Sequence, residues 1–72
     1  RFRGWTLDVW RCVQDLDRET FELSDIYAFK NRLKEIHPDN QHVEDKIRQQ
    51  LQVLRDNGIL KFNNRGNYSL IR

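Results

Sequence analysis

Seventy-two residues form one domain's worth of chain, too few for two domains or for a catalytic core of roughly 150 residues. Hydrophobic residues at 38% and charged residues at 33% suit a small folded domain rather than a disordered tail. The net charge of +2 is unevenly spread: residues 1–45 carry seven Lys or Arg against ten Asp or Glu, residues 46–72 six against one, so the cationic excess lies in the C-terminal third.

The single cysteine, Cys12, allows no disulfide within the chain and no Cys cluster for structural zinc, which favours a reducing, cytoplasmic setting. No apolar run approaches the roughly 20 residues that cross a bilayer. Methionine is absent even at position 1, so the chain is expected to be a segment of something longer.

Residues 1–5 read as an N-terminal arm. Thr6 precedes Leu7, Val9, Val13 and Leu16 and is expected to cap a first helix, with Asp8 suited to its dipole. Trp5 and Trp10 have the spacing of a hydrophobic staple at that helix entrance, and Cys12 reads as a small core filler. Phe21, Glu22 and Leu23 alternate as a short strand should. Ser24 is the expected cap of a second helix whose apolar stripe is Ile26, Phe29, Leu33 and Ile36, ended by Pro38. A third helix is expected from Asn40, as cap, to Gly58, with core stripe Val43, Ile47, Leu51 and Leu54. Ile59 to Asn63 and Asn67 to Ile71 then read as two strands joined by the turn Asn63-Asn64-Arg65-Gly66-Asn67. The result is a mainly α domain with a small β-hairpin, in the order of a winged helix-turn-helix: helix, short strand, helix, recognition helix, two-stranded wing.

At 100° per residue, Asp45, Gln49, Gln52 and Asp56 fall opposite the core stripe of the third helix, with His42, Lys46, Arg48 and Val53 on the flanks. Gln can pair with adenine N6 and N7, Arg with guanine O6 and N7, and Lys with guanine or phosphate, so this face has the vocabulary of base readout. An ordinary solvated face would also favour Gln, Lys and Arg. Asn40, His42 and the wing-tip Arg65 are the expected backbone-positioning residues.

Pro38-Asp39 with Glu44-Asp45-Lys46 spells a PD...(D/E)xK string, in which carboxylates hold a divalent metal. Here it straddles a helix start, and side chains two apart on a helix diverge, so Glu44 and Lys46 are not expected to converge. His37 and His42 lack a third ligand at zinc spacing. No metal, cofactor or catalytic residue is therefore expected.

Lys46-Ile47-Arg48-Gln49-Gln50-Leu51-Gln52-Val53-Leu54-Arg55-Asp56, with Arg3-Gly4-Trp5-Thr6, Ile26-Tyr27-Ala28-Phe29, His37-Pro38-Asp39-Asn40 and Arg65-Gly66-Asn67-Tyr68, resembles the C-terminal winged-helix domain of the Dam-replacing, DpnI-like methyl-directed restriction endonucleases. The resemblance implies a bacterial reader of double-stranded DNA carrying N6-methyladenine in GATC, normally fused to a nuclease absent from these residues, and a single short chain on that palindrome is expected to act as a monomer. Binding without cleavage or cofactor is the expectation that follows. A protein-interaction module and a methylation-insensitive DNA-binding winged helix are the alternatives.

Overall fold

The structure, a computed structural model, describes residues 2–71. Its elements are α1 (Trp5–Leu16), β1 (Thr20–Glu22), α2 (Leu23–Tyr27), α3 (Lys30–Ile36), α4 (Val43–Asp56), β2 (Leu60–Asn64) and β3 (Asn67–Leu70). The periodic apolar residues of α1 and α4 face each other. Val9, Cys12 and Val13 of α1 are fully buried with Ile47, Leu51 and Leu54 of α4, and Phe21, Ile26, Leu33, Val43 and Leu60 complete the core. Fully burying one such aliphatic side chain stabilises by about 1.5–3 kcal/mol, so this cluster is what holds so short a chain folded.

The second helix departs from its expected continuity. The Phe29 N–H donates to the Ile26 carbonyl at 2.9 Å, an i→i+3 bond that tightens the backbone between α2 and α3. That turn rotates α3 relative to α2: Leu33 stays buried, whereas Ile36, expected on the same stripe, is half exposed. In this orientation Arg32 of α3 pairs with Asp15 of α1 at 2.5 Å on the surface.

All three expected caps also moved. Gly4, not Thr6, occupies the cap position of α1, and Trp5 is already helical, which removes the staple geometry with Trp10. Glu22 rather than Ser24 caps α2, through a capping box in which the Glu22 N–H donates to Asp25 Oδ2 at 2.8 Å. Asn40 lies outside α4 and uses Oδ1 to accept from the His42 N–H at 2.7 Å, while His42 takes the cap position. The far end of α4 follows expectation. Gly58 adopts φ 76. Its N–H and that of Ile59 reach back to the Arg55 and Leu54 carbonyls at 3.0 Å, the paired bonds of a Schellman stop.

The strands form one antiparallel sheet in the order β1-β3-β2, so the wing hairpin is fastened to the domain through β1. The hairpin loop is shorter than expected. Asn63 and Asn64 belong to β2, with an irregularity between Phe62 and Asn64, leaving Arg65 and Gly66 as a two-residue turn with φ 43 and 76. Positive φ at both central positions is the type I′ geometry that matches strand twist. The Leu23 N–H donates to the Gly66 carbonyl at 2.8 Å and ties the turn to the start of α2.

Candidate nucleic-acid interface

Burial of one face of α4 determines what the other displays. With Val43, Ile47, Leu51 and Leu54 inward, Asp45, Arg48, Gln49 and Gln52 are exposed, Lys46 and Val53 are half-buried flanks, and His42 is exposed at the helix start. This is the arrangement expected from the angular spacing. α3, residues 37–42 and α4 make the helix-turn-helix.

The connection is pinned to α1. His37 stacks on the Trp5 ring at 3.9 Å, and its Nε2 lies 2.7 Å from Asp8 Oδ2. Lys34 Nζ donates to the Asn40 carbonyl at 2.5 Å from the other side. A cleft of 370 Å³ opens between α3 and the start of α4, lined by Lys30, Lys34, Asn40 and His42 and also by the acidic Glu44 and Asp45. Lys30 and Lys34 were not singled out in the sequence, because a cation pair four residues apart on a short helix also reads as ordinary solvated surface.

Charges on α4 are partly internally matched. Arg48 pairs with Asp45 and donates to the Tyr27 hydroxyl at 3.0 Å. These bonds, the Tyr27 contact first, push the Arg48 pKa further above its ordinary value, so the guanidinium is a permanent cation on the exposed surface. Asp45 therefore faces Arg48 rather than standing as an independent acceptor. Lys30 and Glu44 lie 3.5 Å apart, Arg55 and Asp56 likewise. Glu44 thus reaches toward α3, whereas Lys46 Nζ lies 5.9 Å over the Trp5 ring, so the nuclease-like string does not converge. Among the described residues no three His, Cys, Asp or Glu side chains come together as a metal site, and no helix is long and apolar enough to cross a membrane.

Arg65 protrudes at the wing tip and makes no ion pair among the described residues. With Tyr27, Glu22, Leu23, Ser24 and Gly66 it lines a 410 Å³ groove between the wing and α2. Tyr27, one residue off the apolar stripe of its helix and not singled out as a site residue in the sequence, links this groove to α4 through Arg48. Behind it Tyr68 stacks on Phe21 at 5.6 Å and meets Phe62 edge-on at 5.5 Å, which stiffens the wing. Burial raises the Tyr68 pKa, with Arg55 and Arg48 opposing, and the phenol stays neutral at pH 7. Asn63 is used within the hairpin, donating to Asn67 Oδ1 at 2.9 Å and Ser69 Oγ at 2.8 Å.

One buried polar residue escaped the sequence reading. Gln50 is only 6% exposed, on the edge of the buried stripe, three residues after Ile47 and four before Leu54. Thr6 Oγ1 donates to Gln50 Oε1 at 2.5 Å, Gln50 Nε2 donates to Gln49 Oε1 at 3.3 Å, and Lys46 Nζ donates to the same oxygen at 3.2 Å.

A three-helical scaffold completed by a short strand, an outward helix and a pinned hairpin defines a winged helix-turn-helix domain, a fold whose outward helix enters the DNA major groove. Residues 1–70 match the Dam-replacing HTH domain family, and the chain belongs to it. Membership in a helix-turn-helix family points to DNA binding as the general function.

Proposed function

We propose that this domain binds double-stranded DNA and prefers GATC carrying N6-methyladenine, with α4 in the major groove and the Arg65 wing on the backbone or in the minor groove. The observation that carries the proposal is the exposed α4 face of Gln49 and Gln52, flanked by Lys46, Arg48 and Val53 and fixed by burial of the opposite stripe. The name of the family, a Dam-replacing domain, accords with adenine methylation as the mark read.

Watson–Crick pairing turns the N6-methyl toward N7, where it replaces the amino hydrogen that an amide reader would use. A reader of the methylated base needs apolar surface there. Val53 and the aliphatic stems of Gln49, Gln52, Lys46 and Arg48 supply it. The two adenines of GATC occupy adjacent base pairs on opposite strands, so one helix can cover both methyls. Burying each is worth about 0.8 kcal/mol, or roughly tenfold for the pair. Guanine contacts by Arg48 or Lys46, at about 1–3 kcal/mol each, select the outer pairs. Asp45 holds Arg48 until the base is reached. Asn40 and His42, beside Lys30 and Lys34 in the cleft before α4, position one phosphate backbone, and Arg65 the other. The domain acts as a monomer in a DNA-associated, bacterial cytoplasmic setting, without a cofactor, and the parent protein carries the nuclease on a separate domain.

Fluorescence anisotropy with GATC duplexes bearing zero, one or two methyl groups tests this reading. Affinity should rise with each methyl and fall steeply with salt. Equal affinity for all three duplexes would remove methyl reading, and a flat salt response would remove phosphate neutralisation. Cleavage in magnesium by these residues alone would contradict the separate-nuclease reading.

A further inference from the structure

The hydrogen-bonded chain from Thr6 to Lys46 has a direction, and Lys46 sets it. An ammonium has only donors, so the Gln49 atom 3.2 Å from Lys46 Nζ must be its carbonyl oxygen. The Gln50 atom that meets this oxygen at 3.3 Å must then be its amide nitrogen, which leaves the Gln50 oxygen to accept from the Thr6 hydroxyl. Burial of Gln50 shields the middle of the chain from competing water. The Gln49 carbonyl is engaged by both Lys46 and Gln50, and its NH₂ is what remains for the groove.

We infer that Gln49 is held as a donor-only reader of a purine N7 and that Gln50 and Thr6 are positioning residues for this specificity. The inference deepens the methyl-reading proposal and rests on it for the identity of the mark. A freely rotating glutamine would accept from the adenine amino group while donating to N7, and so would favour the unmodified base. With its acceptor withheld, Gln49 keeps the N7 contact and sets its own N–H groups against the N6–H of unmodified adenine. Methylation removes that opposing donor. Thr6 and Gln50, two residues that touch no DNA, thereby turn an adenine-reading side chain into one that tolerates the modification and disfavours its absence.

The decisive probes are duplexes with 7-deaza purines replacing one purine of methylated GATC at a time. At one position wild type should lose about fivefold in affinity, the worth of one hydrogen bond, and Gln49→Ala should show no such penalty. No penalty at any purine, or a penalty that persists in Gln49→Ala, overturns the inference. Gln50→Glu removes the amide that donates to the Gln49 carbonyl and offers Lys46 a carboxylate instead, which releases that carbonyl to the groove. The ratio of methylated to unmethylated affinity should fall about fivefold with the melting transition retained. If Gln50→Glu does not fold, Thr6→Val, which removes only the terminal donor, should lower the same ratio by at least twofold. An unchanged ratio in a folded variant overturns the positioning role. Equal wild-type affinity for methylated and unmethylated duplexes would instead sink the methyl-reading proposal, and the 7-deaza penalty would still decide which face Gln49 presents.

Discussion

Replacing Arg65 by asparagine should stabilise the fold and weaken DNA binding at once. Arg65 has φ 43 in a two-residue turn, a left-handed conformation that costs an ordinary L-residue about 1 kcal/mol and that asparagine tolerates better. The guanidinium makes no ion pair among the described residues, so little is lost from the folded state. Stability should rise by about 0.5–1 kcal/mol, equivalent to roughly 2–8 °C in Tm for a domain of this size. Binding should move the other way. Loss of one phosphate contact weakens methylated and unmethylated duplexes alike and reduces the slope of log K against log salt by about 0.9. Thermal melts followed by circular dichroism and anisotropy titrations at several salt concentrations measure both. A lower Tm, or an unchanged salt slope, would refute the reasoning about strain or about contact respectively.

Gly66→Ala should destabilise by about 1–2 kcal/mol in denaturant titrations: an added Cβ meets Leu23 Cβ at an ordinary 3.5 Å, so strain at φ 76 rather than collision sets the loss. Leu51→Ala, at the centre of the core, should lose about 2–5 kcal/mol and leave much of the chain unfolded at 37 °C, as read by amide exchange. Asp45→Asn should tighten binding to every duplex by releasing Arg48 and removing a negative charge from the groove face; weaker binding confined to GATC would instead make Asp45 a base acceptor. Cys12, fully buried and with its thiol pKa raised chiefly by that burial, should react with alkylating reagents only as fast as the domain opens.

The recognition helix was legible because four turns of regular apolar spacing leave little freedom: Val43, Ile47, Leu51 and Leu54 are all buried as that spacing requires. Gly58 was legible because few other residues take its φ without strain. The break between α2 and α3 was hidden, since Ala28 and Phe29 suit a continuous helix and only the i→i+3 bond at Phe29 reveals the change of pitch. Caps failed for a common reason. Thr6, Ser24 and Asn40 all have side chains fit to cap, but each helix has its cap position two residues away from them, at Gly4, Glu22 and His42, where packing and local turns set the boundary. Gln50 carried a burial signal in its position, three after Ile47 and four before Leu54, but a glutamine between Gln49 and Gln52 reads as surface. Only its partner, Thr6 of α1, lies beyond the reach of local spacing.

Placement of α4 against the modified bases is tested most directly by intermolecular NOEs from ¹³C-labelled N6-methyl groups in a GATC duplex bound to the domain. The expected cross-peaks run to the Val53 methyls and to the side-chain protons of Gln49 or Gln52. Cross-peaks confined to the wing, α1 or α3, with none to α4, would contradict the account.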